Sequence, residues 1–522
     1  MKRITLLSTL LVLPFLALAG VNPKNGNFYV TYTDISVSRD GHDLELSRTY
    51  NSKATELGWF GVGWGSTYET HLTVLPDGSA AIKENGTGRI TYYRTSNAAA
   101  IKAGVQRLVN ATSQKETLTQ EASDALAAKL LSDEDLRLSK AIQYGLESTL
   151  QSDGTLEDEC GKATLSRVPE GYLRLDCNRF GSAEPAKDTF DMQGRMIRHE
   201  LKNGYAVVIN HAKTGTTEIR DTLGQSIALT WTPDGRVAGV ASGDQSTAYT
   251  YEDNNLVVSS DTGGNTYRYS YDTRHNLTRV QYLDNSSMFI SYSPKVNGTA
   301  DSVTHRNGEQ QTFVYRTDPN DSNHYWTTQT DISPSGETSS REYEFHNQTG
   351  PTGITQPSKI VLAGDGGTTE TQCDQKGRMV RKIDKDGEFV DYVYHPQNGK
   401  LILVLKKDLR TEFHYDAKGN LVQAANSAGK VIDLTYADSD SIQSMVVNAH
   451  DGAPRRELKF QYNTKGKPTH ITLVGVGQID VEYDDAGEIT KVNSQKGMVM
   501  ALQVTQIFQN LLSVVSVAGA KL

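Results

Sequence analysis

The chain has 522 residues, with 53 lysines and arginines against 62 aspartates and glutamates, a formal net charge of −9. An acidic chain without a long basic run is a poor nucleic-acid binder, because such binding depends on Lys and Arg contacts to phosphate. Only 37% of the residues are hydrophobic, but 45 glycines and 25 tyrosines accompany them. Tyrosine favours strands and glycine favours turns, so many short strands are indicated, and coiled coils, long disordered tails and multispan membrane proteins are excluded.

The N-terminus has the pattern of a secretory signal peptide. A basic start over residues 1–3 precedes a largely apolar run over 4–18, and Ala17-Leu18-Ala19 forms a small-residue cleavage site. The apolar run is short for a bilayer span, so a membrane anchor is the weaker alternative. Residues 1–19 are therefore predicted to be a signal peptide. The mature chain is expected to be exported and to be periplasmic, cell-surface or secreted.

Residues 97–150 have a helical pattern. They contain no proline and are rich in Ala, Leu, Lys and Glu, which favour helices. Two sets of residues spaced four apart predict one apolar stripe each, namely Leu118, Ala122, Leu126 and Leu130, then Leu138, Ile142 and Leu146. We predict a helical insertion over 97–150, and expect it to be a solvated spacer in preference to a docking element.

Residues 151–185 are predicted to form a linking hairpin. Two strand-like runs, 163–168 and 172–176, flank a turn that contains Pro169 and Gly171. Cys160 and Cys177 lie at the outer ends of these runs, so they either form a disulfide across the base of the hairpin or remain free. The chain has three cysteines and no CxxC pair, which argues against a zinc ribbon or a thioredoxin-type site.

A short motif recurs through residues 186–492. An aromatic and a small polar residue are followed, after two or three positions, by glycine, a polar residue and an apolar one. Trp231, Tyr251, Tyr271 and Tyr292 lie 20, 20 and 21 residues apart, and Cys373, Tyr394, Tyr415 and Tyr436 lie 21 residues apart each time. A fixed period of this kind marks a repeat architecture, with room in each copy for two strands and their turns.

The motif residues are predicted to be structural. An Asp side chain accepts hydrogen bonds from backbone N–H groups two residues on, and Gly supplies a positive φ at a turn. Cys373 stands in an aromatic position and is therefore expected to be buried and unreactive. The structural repeat positions are Phe190, Asp191, Gly194, Trp231, Gly235, Tyr251, Tyr271, Asp272, Cys373, Asp374, Gly377, Tyr394, Tyr415, Asp416, Gly419, Tyr436, Tyr462, Gly466, Tyr483, Asp484 and Gly487.

Residues 493–522 leave the repeat pattern. Apolar residues dominate 497–517, but Gln503, Gln506 and Asn510 interrupt them, so the segment is too polar to be a membrane span. An apolar helix is predicted here. Because an apolar face must be buried somewhere, we expect this helix to dock in the lumen of the array or on a partner.

The repeat resembles the YD repeats of Rhs proteins, teneurins and related bacterial surface and toxin-delivery proteins. The resemblance covers 186–492 and weakens over 294–371. A second block, with Tyr29, Arg48, Tyr50, Trp64 and Tyr92 among its residues, is similar to the domain that commonly precedes Rhs repeats and assigns residues 20–96 to an N-terminal β domain. The resemblance implies a mostly β fold: a spiralling antiparallel β-hairpin array, forming a partial shell or short barrel, with an N-terminal β domain, a helical insertion and a short C-terminal helix.

The sequence predicts no catalytic, cofactor-binding or metal-binding residues. HExxH and GxSxG motifs are absent, and the twelve histidines form no cluster at a recognised metal-ligand spacing. Many Rhs shells resembling this chain cleave themselves at an Asp-Pro-Gly-Leu type of motif, but here Asp318-Pro319 is followed by Asn320, so self-cleavage is not expected.

These features predict an exported, non-enzymatic scaffold that binds a protein or carbohydrate partner at the cell envelope or surface. Two alternatives remain. In the first, the chain is a component of an Rhs-like toxin or secretion system and holds a cargo or partner supplied in trans. In the second and weakest, it is an enzyme with an unrecognised site. No cofactor, nucleic-acid partner or integral membrane span is expected.

Overall fold

A computed structural model describes residues 18–39, 42–84, 86, 88–95, 97–150, 155–158, 163–176, 186–201, 204–212, 215–349, 355–396, 399–417, 419–437, 441–448, 455–463, 467–483, 489–495 and 504. Cys160 and Cys177 lie outside these residues, as does the predicted signal peptide up to residue 17. The first strand begins at Leu18, so cleavage after Ala19 would remove its first two residues.

The N-terminal residues form six short strands: β1 (Leu18–Asn22), β2 (Asn27–Arg39), β3 (His42–Asn51), β4 (Leu57–Gly58), β5 (Gly61–Val62) and β6 (Trp64–Ser66). Four of them make an antiparallel sheet in the order β1-β2-β3-β6, and β4 pairs with β5. Buried and half-buried residues alternate along most of β2, as the two-residue period of a strand requires. We call the four-stranded sheet the N-terminal sheet.

Three helices follow as predicted: α1 (Ala98–Glu116), α2 (Gln120–Ser132) and α3 (Glu134–Gln143). Each begins at a polar residue whose side chain accepts from backbone N–H groups of the first turn, namely Asn97, Thr119 and Asp133. No helix within the described ranges is long and apolar enough to cross a membrane.

The helical insertion is docked, so the expectation of a solvated spacer is wrong. Arg137 of α3 lies 3.3 Å from the carboxylate of Asp77, and both side chains are buried. Leu138 packs against Leu75 and Ala81. Ile142, which the spacing placed in the same stripe as Leu138, is 53% exposed, whereas the adjacent Ala141 is buried in a cluster with Leu130.

The remaining strands form a single long sheet. The first part comprises β7 (His71–Val74), β8 (Ala80–Lys83), β9 (Ile90–Arg94), β10 (Thr155–Asp158), β11 (Ala163–Val168), β12 (Gly171–Asp176), β13 (Ala186–Phe190), β14 (Met196–Glu200), β15 (Ala206–Ala212), β16 (Gly215–Asp221), β17 (Ser226–Trp231), β18 (Val237–Ser242), β19 (Gln245–Glu252), β20 (Asn255–Ser260), β21 (Thr266–Tyr271), β22 (Leu277–Gln281), β23 (Ser287–Tyr292) and β24 (Ala300–Thr304).

The second part continues without a break. It comprises β25 (Gln310–Asp318), β26 (Asp321–Ile332), β27 (Thr338–Thr349), β28 (Thr355–Gly364), β29 (Gly367–Cys373), β30 (Met379–Ile383), β31 (Phe389–Tyr394), β32 (Leu401–Lys406), β33 (Leu409–Tyr415), β34 (Leu421–Asn426), β35 (Val431–Tyr436), β36 (Ile442–Val447), β37 (Arg456–Tyr462), β38 (Pro468–Leu473), β39 (Gly477–Tyr483) and β40 (Ile489–Ser494).

Every strand from β7 to β40 pairs antiparallel with its neighbours in sequence order, and β9 pairs with β10 across the helical insertion. Among the described residues no pairing register joins β40 to β7, so the sheet is a long ribbon that does not close by strand pairing. The predicted mostly β fold with an antiparallel hairpin array is confirmed. Strands β7–β9, from the segment assigned to the N-terminal domain, form the start of this array.

The N-terminal sheet packs against the inner face of the first half of the array. One apolar cluster joins Phe28, Val30 and Trp64 of that sheet to Leu256 and Val280 of the array, and all five are fully buried. Burying a side chain of this size contributes about 1.5–3 kcal/mol. The contact therefore fixes the N-terminal sheet inside the array.

A second apolar cluster lies on strands β31–β39. It includes Tyr392, Phe413, Leu434 and Leu458, and it also contains Val504, which is helical and buried. Asn493 and Ser494 still belong to β40, so the predicted helical segment 493–522 begins too early, and within it Val504 is the one described residue that is helical. That residue thus packs on the inner face of the second half of the array.

Candidate functional site

The repeat aromatics lie at β-bulges, and their hydroxyl groups join successive hairpins. The pairing register shifts immediately before Tyr251, Tyr271 and Tyr394. In each copy the tyrosine hydroxyl donates to a backbone carbonyl of the preceding repeat, with O···O distances of 2.7–3.0 Å for Tyr251, Tyr271, Tyr292, Tyr315, Tyr394, Tyr415, Tyr436, Tyr462 and Tyr483. Phe190, Trp231 and Cys373 occupy the same bulge position without a hydroxyl.

The repeat aspartates close the turns. Oδ1 of Asp191 accepts from the backbone N–H groups two and four residues on, at 3.0 and 2.9 Å. Asp272 and Asp374 do the same, and Asp416 accepts from the group four residues on. These bonds tie each carboxylate to the backbone of its own turn.

The repeat glycines adopt the left-handed conformation that the turn requires. The φ angles of Gly194, Gly235, Gly377 and Gly419 are +80°, +79°, +70° and +87°. His275 takes this position, with φ +64°, in the copy that begins at Tyr271. The predicted repeat positions Gly466, Asp484 and Gly487 lie outside the described residues.

Cys373 is half-buried and free of any disulfide. Burial raises the pKa of its thiol, and Asp374 adds to that rise. The protonated thiol is therefore the stable form at neutral pH, and a thiol is a weaker nucleophile than a thiolate.

A buried ion pair links the N-terminal sheet to the array. Arg48 Nε donates to Asp34 Oδ2 at 2.8 Å, and Arg48 Nη2 donates to Ser259 Oγ at 2.8 Å and to Tyr269 Oη at 3.0 Å. The Tyr249 hydroxyl donates to Asp34 Oδ2 at 2.8 Å. Arg48 and Asp34 are 1% and 3% exposed. We call this group the Arg48 centre.

Aromatic rings surround the Arg48 guanidinium. Its central carbon lies 4.8 Å from the ring centroid of Tyr32 and 4.7 Å from that of Trp64, distances at which a cation is attracted to a ring face. Burial raises the pKa of Asp34, although Arg48 and Tyr249 act to lower it. The Arg48 centre is sealed from solvent, so its role is to hold the N-terminal sheet in place.

A more accessible site lies where the N-terminal segment meets β14 and β15. The Leu72 N–H donates to the Gly194 carbonyl at 2.7 Å, and the Met196 N–H donates to the Thr70 carbonyl at 3.3 Å. A Cβ atom on Gly194 would lie 1.9 Å from the Leu72 carbonyl oxygen, so only glycine fits this crossing.

Three adjoining cavities open around this crossing, with volumes of about 710, 330 and 320 Å³. The middle cavity shares Arg195 and His211 with the largest, and Tyr68, Thr70 and Met196 with the third. We call the three together the junction cleft. Each of the three volumes lies in the range of small-ligand pockets.

The largest cavity of the junction cleft has a mixed lining, in which charged side chains such as Glu170 and Arg198 accompany apolar ones. Leu173, Ile197 and Val208 line it, and the Arg195–Asp191 ion pair, 2.7 Å long, lies at its border with the middle cavity. Leu173 is paired with Thr189 in the strand register, so both side chains lie on the face of the array opposite the core. This cavity therefore opens on the outer face of β12–β15.

The middle cavity holds three titratable groups that favour their neutral forms. Burial raises the pKa of Glu69 to about 8, although its carboxylate accepts from the Trp59 and Ser66 backbone N–H groups at 2.7 Å each. Burial lowers the pKa values of His71 and His211. Groups with shifted pKa values cluster at functional sites more often than elsewhere. Glu56 and Arg195 also line this cavity, each in an ion pair, with Lys83 and Asp191 respectively. The three neutral groups suit an uncharged polar ligand group.

Sequence reasoning did not find the junction cleft. Glu69 and His71 lie more than 120 residues before Arg195 and His211 in the chain. No local spacing brings these residues together, because their contact requires β7 to cross the turn at Gly194. The one sequence signal in the region was the glycine and aromatic block around Trp64, which suggested a family but no pocket.

The comparisons with known proteins identify the N-terminal part. Residues 19–93 match a family model described as a domain of unknown function (DUF6531). That segment contains the N-terminal sheet and reaches into β9. The match concerns this segment alone, and membership of the Rhs/YD-repeat family stays a prediction for the chain. No curated protein sequence matches the chain.

Among solved structures, the chain is similar to chains in Tc toxin complexes. For TcdB2-TccC3-TEV, identity is 12% at a TM-score of 0.39, covering 96% of this chain and 29% of that one. For a Photorhabdus luminescens Tc holotoxin pore with a TccC3 variant, identity is 12% at a TM-score of 0.39, covering 90% and 27%. The chain thus spans less than a third of those chains.

Proposed function

We propose that the chain is an exported, non-enzymatic YD-repeat scaffold that binds a protein or glycan partner at the cell envelope or surface, with the junction cleft as its binding site. The observation that carries this proposal is the cleft itself, an open set of cavities next to a sealed core. The repeat tyrosines and aspartates are bonded to backbone groups and belong to the fold. Recognition is therefore assigned to residues outside the repeat positions.

The chemistry of the junction cleft favours a polar, uncharged ligand group. Neutral imidazoles and a carboxyl with a pKa of about 8 can both donate and accept hydrogen bonds near neutral pH. Trp59 and Tyr68 add aromatic surface to the same cavity. Sugar hydroxyls and peptide amides match this combination, because each offers donors and acceptors without a net charge.

The experiment uses an outer-face variant and a matched control. Leu173→Glu places a charge on the wall of the largest cavity, and Val314→Glu makes the same change at a site that is 65% exposed elsewhere on the array. The wild-type protein and both variants are presented to solubilised envelope proteins and to a glycan array. We expect the wild type and Val314→Glu to retain the same ligand and Leu173→Glu to lose it.

Equal binding of the ligand by the wild type and both variants would contradict the assignment of the binding site to the junction cleft. Turnover of an envelope substrate by the wild type, abolished by Glu69→Gln, would instead favour an enzyme. Circular dichroism of each variant separates loss of binding from loss of fold.

One observation favours the second candidate function, a component of an Rhs-like toxin or secretion system that holds a partner supplied in trans. Tyr325, Tyr343 and Leu362 lie on the inner side of β26–β28, are only half-buried, and belong to neither apolar cluster. This middle section of the array thus offers inner apolar surface to a partner. This alternative would be supported by a partner protein that binds in a fixed ratio to the Leu173→Glu variant and does not bind to the Tyr343→Glu variant.

A further inference from the structure

A cluster of potential metal ligands lies on the outer face of the long β26–β27 hairpin. His324 of β26 is directly opposite His346 of β27 in the strand register, and Glu344 precedes His346 by two residues on the same face. Thr327 is fully buried on the opposite side of β26. The three side chains of the cluster are 18%, 28% and 28% exposed, so an ion from solvent can reach them.

The donor atoms of the cluster converge on a single carboxylate oxygen. Glu344 Oε1 lies 2.7 Å from His324 Nε2 and 3.0 Å from His346 Nε2. The two imidazole rings are stacked, with centroids 3.9 Å apart and an interplanar angle of 18°. One ligand atom from each of the three residues lies within 4.8 Å of the others.

We propose that His324, Glu344 and His346 bind a divalent transition-metal ion of the zinc class. Two imidazole nitrogens and one carboxylate oxygen are a set that Zn²⁺ accepts at about 2.0–2.2 Å, and three protein ligands leave a fourth position open. The ion would enter between the two Nε2 atoms and Glu344 Oε1.

A neighbouring carboxylate would support one of the ligands. Asp318 Oδ2 lies 3.4 Å from His324 Nδ1. When Nε2 carries a metal, Nδ1 must carry the proton, and a carboxylate that accepts this proton fixes the ring orientation. Asp318 is thus a positioning residue in the proposed site.

Lys359 acts against the site. It is directly opposite His346 on β28, and its positive charge disfavours a second cation nearby. Removing this charge should therefore strengthen the binding of a metal ion.

The position of the cluster suggests a structural benefit. The repeat pattern is weakest over residues 294–371, and β26 and β27, at 12 residues each, are longer than the neighbouring repeat strands. An ion bound by residues of both strands would tie the hairpin together. It would bind the folded chain and not the unfolded one, which raises thermal stability by mass action.

The test measures binding of Zn²⁺ to the whole, tag-free protein. Equilibrium dialysis at micromolar free Zn²⁺ is applied to the wild type, His346→Gln, Glu344→Gln and the control His414→Gln, whose side chain is 57% exposed outside the cluster. We expect one ion per chain in the wild type and the control, and an affinity at least about tenfold weaker in the other two. A rise in melting temperature with Zn²⁺ should follow the same pattern.

Three outcomes would overturn the proposal. They are the absence of bound Zn²⁺ on the wild type, equal affinity in all four proteins, and a loss in His414→Gln as large as that in His346→Gln. Co²⁺ substitution gives a readout independent of stability, because a tetrahedral ion with two nitrogen ligands has a visible absorption band that His346→Gln should abolish. Lys359→Gln should strengthen binding, since it removes the opposing charge.

Discussion

The Arg48 centre allows a quantitative test of how the N-terminal sheet is held in the array. Arg48→Met keeps the apolar stem of the side chain but removes the guanidinium, so within the Arg48 centre the buried Asp34 carboxylate is left with the hydrogen bond from the Tyr249 hydroxyl. Removing one member of a buried ion pair costs about 3–5 kcal/mol, because the other charge is left without a partner.

Protonation of Asp34 limits this loss and makes it depend on pH. A protonated Asp34 carboxyl is neutral, so no unpaired charge stays buried. For a carboxyl of ordinary pKa, about 3.9, protonation costs about 1.36 kcal/mol for each pH unit above the pKa, or about 4 kcal/mol at pH 7 and about 1.5 kcal/mol at pH 5. In the variant the folded pKa of Asp34 is raised, so stability is lost as the pH rises and regained as it falls.

The assay is urea unfolding followed by tryptophan fluorescence, since Trp64 lies against the Arg48 guanidinium. We expect Arg48→Met to lose about 4 kcal/mol at pH 7 and roughly half of that or less at pH 5. The double variant Asp34→Asn/Arg48→Met should recover much of the loss, because it buries no charge. Arg220→Met, which removes one member of an exposed pair, should leave stability close to that of the wild type.

Two results would contradict this prediction. One is a free energy of unfolding for Arg48→Met equal to that of Arg220→Met, and the other is an equal loss of stability in Arg48→Met at pH 5 and pH 7. Either result would mean that Asp34 is not an enclosed charge. The N-terminal sheet would then be held by apolar packing alone.

Four further measurements test other parts of the structure. Gly235→Ala should lower the free energy of unfolding, measured in urea, by about 1–2 kcal/mol. A Cβ atom there would meet no neighbouring atom, so only the left-handed φ opposes the change. Gly194→Ala should lower the free energy of unfolding further, since its Cβ would overlap the Leu72 carbonyl oxygen. Tyr292→Phe removes one inter-repeat hydrogen bond and should cost about 1 kcal/mol by the same assay; no change would contradict a stabilising role for the repeat hydroxyls. Because the folded pKa of Glu69 is about 8 against an ordinary 4.5, stability should fall as the pH rises between these values, and unfolding midpoints of Glu69→Gln should lack that fall. Deleting residues 497–522 should uncover the second apolar cluster and cause aggregation or protease sensitivity, whereas an unchanged melting temperature and a monomeric protein would refute the predicted docking of this segment.

The repeat array could be predicted in detail because its contacts are local. Each tyrosine hydroxyl bonds to a carbonyl 14–20 residues earlier, and each aspartate closes a turn within four residues. Such contacts leave a period of 20–21 residues that is visible in the sequence. The sequence therefore determined the strands and the turns of the array.

The tertiary structure decided what the array surrounds and where it can bind. Arg48 meets Ser259 and Tyr269 more than 200 residues away, and Glu69 shares a cavity with His211, so neither site has a local spacing. The helical stripe containing Leu138 was visible, but its partner surface on β8 was not. Contacts of this kind depend on how a long twisted sheet curves around another sheet, which no short stretch of the chain encodes.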